Sequence, residues 1–576
     1  MYILGLKYPG HDATAVLLKN NHVVFASAQE RFDQRKHSHA FPMEAIKCAL
    51  DMASINIEQV DIVVFQYNYP LSYRNMVART FMNYFPLATS SSLANLRYQM
   101  AKKAVGERDI RKLGFKGPIY YVDHHASHRA SAYFPSPFER AAVLIIDGRG
   151  ERASTTFSLA EGNRFINLKH VDYPHSLGYL YAAVTSYLGF CPDSDEGKIM
   201  GLSSYAEPEY INTFRHIVRL LPEGGFALDM SYFNYHTRVG SYFSKRFLKE
   251  FGPPRRPEEP LTSHHKIIAA SLQRITEETV LHFVKWLKDK TGADNLCLGG
   301  GVALNSVTNG RIMREMGFDG IFVQPAAGDD GSALGAALEI YHRLSGTPRY
   351  PLRYFDPYLG KGHSDEEIKK FLDDKRIPYR KYSDIERVTA KILSEGNIVG
   401  WFQGRAEFGP RALGNRSILA DPRFADMKDK VNRKVKFRED FRPFAPATLE
   451  EYVGELFDSI QPSPYMLMVY NVLPVVRDTI PAVTHVDGTA RVQSVNESQN
   501  KKFYRLITEF KKLTGVPAIL NTSFNVKGKP IVNNPEDAFE CFWNTEMDYL
   551  VMGDFLIAKK EGALKNDPIE KIEICS

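Results

Sequence analysis

His124 and His128 stand four residues apart in the run His124-His125-Ala126-Ser127-His128. On a helix that spacing turns both imidazoles to one face, about one turn apart, so they could share a metal ion, while His125 would point off that face. Asp147 ends the apolar run Val143-Leu144-Ile145-Ile146 and opens the loop Gly148-Arg149-Gly150, where a carboxylate can point into a cleft. Asp329 lies in Ala327-Gly328-Asp329-Asp330-Gly331, a loop that turns into a small-residue helix. Two imidazoles and two carboxylates form a mixed nitrogen and oxygen donor set, which suits iron(II), manganese or zinc. In a chain with 17 histidines such a pair also occurs on plain surfaces, and Asp147 could be only a turn-former beside Gly148. The case for a site rests on three pieces, each at a loop end expected to reach one cleft.

A second constellation is basic. Residues 404–417 place Arg405, Arg411 and Arg416 among glycines and a proline, and residues 434–446 place Lys434, Lys436, Arg438 and Arg442 among aromatics and prolines. That pattern fits a shaped anion pocket, where guanidinium forks hold phosphate or carboxylate oxygens. A solvated basic face would not need apolar neighbours such as Phe444, Ala445 and Pro446. Asn521-Thr522-Ser523-Phe524-Asn525 adds amide and hydroxyl groups after the apolar run Ala518-Ile519-Leu520.

The elements that must position these residues repeat. A strand over residues 2–6, a loop holding Gly10, His11 and Asp12, and a strand pair at 14–18 and 22–26 open the chain. The same order returns as the strand 143–146, the loop 147–150, and strands at 154–160 and 164–170, which points to a duplicated domain. A mostly helical stretch and a short strand at 118–123 lie between the copies. A long helix over residues 267–289 feeds the strand 295–298 and then Gly299-Gly300-Gly301. A glycine cluster after a strand lets backbone approach a nucleotide closely. The segment 346–358 is rich in proline and glycine and reads as a crossing between domains, placing boundaries at residues 1–355 and 356–576. Ser364 to Glu367 is a capping box that starts a fresh helix, and residues 397–402 form a clear strand.

A chain of 576 residues is too long for one core. A net charge of +6, from 73 basic and 67 acidic residues, is too dilute for a nucleic-acid binder. No signal segment and no apolar run of roughly 20 residues appears, so no membrane association is expected and the chain reads as cytoplasmic. Five scattered cysteines without a CxxC pair argue against a disulfide framework or a thiolate zinc site. There is no Walker sequence and no GxGxxG after a strand. Gly10, Gly148 and Gly150 beside Asp12 and Asp147 instead resemble the loops of the actin, sugar-kinase and heat-shock chaperone fold.

Taken jointly, these motifs resemble the O-carbamoyltransferase family of nodulation and antibiotic-tailoring enzymes over nearly the whole chain. The matching pieces include Gly10 to Ala13, Asp123 to His125 with His128, residues 147–151, 197–202, 299–305, 404–416, 436–446 and 521–525. The resemblance implies an α/β protein: a duplicated actin-like (ASKHA) N-terminal domain that binds metal, and a C-terminal α+β, YrdC-like domain. The second domain would combine ATP, with Mg, and carbamoyl phosphate into carbamoyl-adenylate. Lys436, Arg442, Arg491 and Ser523 match positions that hold carbamoyl and phosphate groups, with Arg416 and Asn521 in the same pocket. The first domain would then carbamoylate a hydroxyl of a small molecule. There His124, His128, Asp147 and Asp329 match iron(II) ligands, and Gly299, Gly300 and Asn305 are nucleotide-binding candidates. Four such protein ligands on an octahedral ion would leave two positions open. His11 or Asp12 is the candidate general base, because the loop after the first strand reaches the same cleft. A homodimer is compatible with this reading.

Three other readings compete. A tRNA threonylcarbamoyl transferase fused to its adenylate maker would need a concentrated basic surface. A non-enzymatic, nucleotide-dependent clamp on the same fold would not need two histidines and two aspartates in one cleft. A sugar kinase would leave the whole second domain unexplained. The sequence does not specify the acceptor.

Overall fold

A computed structural model describes residues 1–69, 82, 89–238, 240–459 and 461–559. The chain divides into two compact units, Met1–Gln29 with His37–Phe355, and Glu30–Lys36 with Asp356–Ser576. The short segment Glu30–Lys36, which the sequence reading kept in the first domain, thus clusters with the second. Its Arg31 donates to the Gly409 carbonyl at 2.8 Å.

The first unit holds two five-stranded sheets. In the first, β1 (Tyr2–Lys7) pairs antiparallel with β2 (Thr14–Lys19), which pairs antiparallel with β3 (His22–Ala28). On its other side β1 runs parallel to β4 (Ile62–Phe65), and β4 to β5 (Ile119–Tyr121). The second sheet repeats this plan. There β6 (Arg140–Ile146) forms the antiparallel run with β7 (Ala153–Glu161) and β8 (Arg164–Asp172), and runs parallel to β9 (Asn295–Gly299), which runs parallel to β10 (Gly320–Val323). The orders are β3-β2-β1-β4-β5 and β8-β7-β6-β9-β10, so the unit is a duplicated, actin-like α/β fold. In each copy the first strand ends at a loop with candidate site residues, His11 and Asp12 in one and Asp147 in the other. Both central strands are buried on both faces, which explains why they read as unbroken apolar runs rather than alternating ones.

Four helices matter for the site. They are α1 (Thr89–Lys112), α2 (His124–Tyr133), α3 (Ser263–Thr291) and α4 (Asp329–Ser345). The Asp123 carboxylate caps α2 by accepting from Ala126 N at 3.2 Å, which sets the phase that faces His124 and His128 inward. Close packing of α4 depends on glycine. A side-chain carbon at Gly335 would collide with the Ser127 carbonyl of α2, and one at Gly5 in β1 with the Ala333 carbonyl of α4. Helix α4 therefore lies against both α2 and the first sheet.

The second unit is α+β. Besides a two-stranded pair at Val469–Asn471 and Thr489–Arg491, its strands among the described residues are β11 (Arg380–Lys381), β12 (Val399–Phe402), β13 (Arg416–Ala420), β14 (Ala445–Leu449), β15 (Gln493–Val495), β16 (Ala518–Ser523), β17 (Tyr549–Met552) and β18 (Phe555–Ala558). The eight labelled strands form one mixed sheet in the order β11-β18-β17-β12-β13-β16-β14-β15. The capping box at Ser364 and Glu367 starts a helix over Asp365–Asp374. Among the described residues no helix is long and apolar enough to cross a membrane.

Candidate metal centre and arginine pocket

The ends of β6, α2 and α4 bring His124, His128, Asp147 and Asp329 together, with one ligand atom from each lying within 4.8 Å of the others. His124 Nε2 stands 3.2 Å from His128 Nε2, 3.0 Å from Asp147 Oδ2 and 3.4 Å from Asp329 Oδ1. His128 Nε2 is 3.5 Å from that same Asp329 oxygen. Both imidazoles are almost fully buried. The four groups suit a shared divalent ion: neutral imidazoles bring nitrogen, and two carboxylates balance the charge.

Three of the four groups are held from behind. His124 Nδ1 lies 2.6 Å from Gln66 Oε1; a proton on Nδ1 donated there leaves the Nε2 lone pair facing the cluster. The His124 backbone N–H donates to both oxygens of buried Glu151. Asp147 Oδ1 accepts from Gly301 N at 2.9 Å, which leaves Oδ2 for the cluster. Asp329 Oδ2 pairs with Lys7 Nζ at 2.9 Å, which leaves Oδ1. Burial opposes charge on His124, yet Asp329 and Asp147 outweigh it and raise its pKa well above the usual imidazole value. Burial likewise works against the Asp329 carboxylate, but Lys7 and His124 hold its pKa well below the ordinary range.

His125 does turn away from the quartet, as its position on the helix predicts, but it is not a surface residue. It is buried, its Nδ1 lies 3.2 Å from Thr156 Oγ1, and burial followed by the charge of His124 pushes its pKa down to about 4.

The loop after β1 reaches toward Asp329. His11 Nδ1 lies 2.8 Å from Asp12 Oδ2, and His11 Nε2 lies 3.9 Å from Asp329 Oδ2. Asp12 has φ +55°, a left-handed conformation that aspartate tolerates, and its Oδ1 is 2.7 Å from His37 Nδ1. Burial opposes the charged form of Asp12, but the hydrogen bonds to His11 and His37 dominate and hold its pKa below the ordinary carboxylate value. Such a carboxylate is a weak base. Its geometry orients His11.

The glycine cluster packs closely behind Asp147. Gly300 has φ +86°, and a side-chain carbon there would strike the Ile146 carbonyl. Gly299 packs against Ile145 and the His128 carbonyl. These glycines admit the neighbouring backbone and so place Gly301 N on Asp147. Asn305 is spent inside the protein as well: its Oδ1 accepts from Thr308 N at 3.1 Å, and its amide donates to Gln273 Oε1 at 2.9 Å.

In the second unit Lys436 ends a π-helical turn, Asn432–Lys436, and is buried. Its Nζ reaches Ser523 O at 2.6 Å, Ser523 Oγ at 3.2 Å, Asn525 O at 2.8 Å and Asn525 Oδ1 at 2.6 Å. Burial, then Arg438 and Arg442, press its pKa well below the usual value. Arg491 is depressed in the same way by burial and by Arg411, Arg438 and Arg442. The charges of Arg411, Arg438, Arg442 and Arg491 thus act on one another, a repulsion that an oligoanion would relieve. The sequence reading assigned roles to Arg442 and Arg491 but not to Arg411 and Arg438, although both lie in the motifs it singled out.

Arg416 does not join them. It is fully buried, stacks 3.7 Å from the centre of the Phe402 ring, and donates to the carbonyls of Gln403, Asn415, Lys361 and Gly404. Its terminal nitrogens are thus spent on carbonyls, while its Nε is buried with no hydrogen-bond partner among the described residues. Asn521 spends its amide on Gln493 Oε1 at 2.8 Å and the Ala412 carbonyl at 3.3 Å.

With these two sites in place, the chain belongs to the carbamoyltransferase family: models of the carbamoyltransferase N-terminus and C-terminus match residues 2–338 and 390–559. It is a carbamoyltransferase. It is 43% identical to an uncharacterised protein of Synechocystis sp., over 97% of each chain. Nodulation protein NolNO of Sinorhizobium fredii is 38% identical, over 96% of this chain and 79% of that protein. Nodulation protein U of Rhizobium tropici is 30% identical, over 98% and 97%. Among solved structures, full-length HypF in the phosphate- and nucleotide-bound form is 13% identical, with a TM-score of 0.30 over 60% of this chain and 56% of that one.

Proposed function

We propose that this chain is an ATP-dependent O-carbamoyltransferase that makes carbamoyl-adenylate from carbamoyl phosphate and ATP in its second unit. Its first unit then passes the carbamoyl group to a hydroxyl of a small molecule. The observation that carries the reading is the quartet of His124, His128, Asp147 and Asp329, whose outward atoms are secured by Gln66, Gly301 and Lys7. A metalless clamp or a sugar kinase gives no reason for that arrangement.

In the second unit water releases phosphate from carbamoyl phosphate to leave carbamate, whose oxygen bonds to the α-phosphorus of ATP as the bond to the bridging oxygen of pyrophosphate breaks. Arg411, Arg438, Arg442 and Arg491 supply positive charge where phosphate and pyrophosphate depart, and Lys436 holds Ser523 and Asn525. In the first unit the acceptor oxygen bonds to the carbamoyl carbon. The bond from that carbon to the phosphoryl oxygen breaks, and its electron pair leaves with AMP. His11 takes the hydroxyl proton at Nε2 while Asp12 holds Nδ1–H, so the general base is His11 and Asp12 orients it. A divalent ion bound by the quartet would supply Lewis acidity in that cleft.

The test is a purified chain given ATP and carbamoyl phosphate. Pyrophosphate is expected, and a mass-spectrometric screen of hydroxylated metabolites should find one that gains a carbamoyl group. The variant His124→Ala should still release pyrophosphate but transfer nothing. A folded His124→Ala that makes no pyrophosphate would refute the division between units.

A further inference from the structure

In the second unit the loop that follows Arg411 is fastened at every residue from Ala412 to Arg416. Buried Glu407 offers one carboxylate oxygen, Oε1, to three backbone N–H groups: those of Leu413 and Asn415 at 2.8 Å each and that of Arg416 at 3.1 Å. Side chains claim the carbonyls of the same stretch. Asn521 Nδ2 donates to Ala412 O at 3.3 Å, and Trp401 Nε1 donates to Gly414 O at 2.9 Å. Gln493 Nε2 and the Tyr358 hydroxyl each donate to Leu413 O at 2.8 Å. Gly414 has φ +106°, and a side-chain carbon there would strike the Phe503 ring.

Backbone N–H groups that converge on one oxygen make the kind of nest that elsewhere holds a phosphate. Here the protein's own carboxylate fills it, so those peptides are spent and what the loop can offer an anion is the Arg411 side chain. The Nε of Arg411 is buried with no hydrogen-bond partner among the described residues. The fasteners also say where the loop lies. Asn521 stands two residues before Ser523, whose carbonyl and hydroxyl both meet Lys436 Nζ. Ser417, just past the loop, pairs with Ser523 where β13 runs beside β16. Gln493 stands two residues after Arg491. The loop thus delivers Arg411 to the segments that carry Ser523 and Arg491. Burial, then the charge of Arg442, lower Arg411 to about 10, in keeping with that placement.

We propose that Glu407 is a positioning residue of the second unit: by filling the nest of its own loop it fixes where the Arg411 guanidinium meets the phosphate chain that leaves as pyrophosphate. The identity of that oligoanion rests on the carbamoyl-adenylate reading. A guanidinium held in place forms its hydrogen bonds without first ordering its loop, whereas a loose one loses part of the contact to that ordering. Glu407 does not touch the anion. Its charge is turned inward onto three peptides, and it acts on binding only through Arg411.

The full chain is titrated calorimetrically with inorganic pyrophosphate. Parent, Glu407→Gln, Tyr358→Phe and Arg411→Met are compared with the two double variants that join Arg411→Met to each of the others, and every thermal midpoint is recorded. Arg411→Met should weaken pyrophosphate about tenfold or more, the scale of one charge-assisted contact. Glu407→Gln keeps the shape but not the charge that gathers the three N–H groups. It should weaken pyrophosphate about fivefold in the parent and less than about twofold once Arg411 is replaced. A residue that only stabilised the unit would cost the same affinity in both backgrounds. Tyr358→Phe removes a single hydroxyl from the loop; it should show the same dependence on Arg411 and is the deciding variant if Glu407→Gln does not fold. Full affinity in Arg411→Met, full affinity in the deciding variant, or a loss of equal size in both backgrounds overturns the proposal. Pyrophosphate release from ATP and carbamoyl phosphate is measured in parallel on the parent. Its absence there would count against the adenylate reading, separately from the binding cycle.

Discussion

Lys7 and Asp329 meet at 2.9 Å with the ammonium buried, and the pairing gives each carboxylate oxygen its own task. Oδ2 faces the lysine, while Oδ1 faces both His124 and His128. Asp147 is divided in the same way, with Gly301 N on Oδ1 and His124 on Oδ2.

It follows that Lys7→Met, close in length but uncharged, should loosen the metal without removing a ligand. Partners of this kind typically contribute about 10–100-fold in metal affinity. Competition against a calibrated chelator measures it, and an affinity equal to the parent's would show that Asp329 orients itself unaided.

The quartet predicts about one metal per chain, most readily iron(II), given four protein ligands of mixed nitrogen and oxygen character. Elemental analysis should show the metal lost in His128→Ala and in Asp147→Ala. His125→Ala should keep it. Because His125 is buried, however, that variant should also unfold more easily, by about 2–4 kcal/mol for a side chain truncated in a packed interior. Metal content unmoved by both ligand variants would remove the basis for the site.

In the second unit Lys436→Ala should lower pyrophosphate formation by roughly two to three orders of magnitude, because Ser523 and Asn525 lose the group that holds them in place. The lysine also ties Ser523 to Asn525, so the thermal midpoint should fall too. Arg491→Met should slow the reaction without that structural loss, because its neighbours are other cations. A near-normal rate in Arg491→Met would return the arginine cluster to a role outside catalysis.

Stability should fall on the acid side. His236, His363 and His485 are each pushed down to about 4, in every case chiefly by burial. The unfolded chain binds these protons near the ordinary value of about 6.5, and the folded chain does not. Their contribution is complete above about 6.5 and shrinks as pH drops toward about 4, so the metal-free thermal midpoint should decline through that window. The triple variant to glutamine should flatten the decline, and an unchanged slope would assign it to other groups.

The meeting of His124, His128, Asp147 and Asp329 was legible because each member carries a local signature: a four-residue spacing, a carboxylate after an apolar strand, a carboxylate at a glycine-rich helix start. The duplicated sheets were legible for a similar reason, since strand, loop and hairpin recur in order. Lys7 was not. A lysine closing an apolar strand looks like an ordinary strand end until Asp329 is placed beside it. Gly300 and Asn305 carry the marks of nucleotide contact, but a close backbone and an internal amide pair make the same demands on sequence. Arg416 sits in the most basic stretch of the chain, yet carbonyl oxygens and the Phe402 ring claim it. Which arginine faces a pocket is decided by strand register, and register is a property of the assembled sheet.

Helix α4 begins with Asp329 and, through the contacts at Gly5 and Gly335, lies against both the first sheet and the helix that carries the histidines. Mechanically it is a crossbar. Any rocking that parts α4 from α2 draws Asp329 away from His124 and His128, so an ion seated there would latch the first unit shut. Loading the metal should therefore slow amide hydrogen exchange along α2, β1 and α4 together, and removing it should release all three at once.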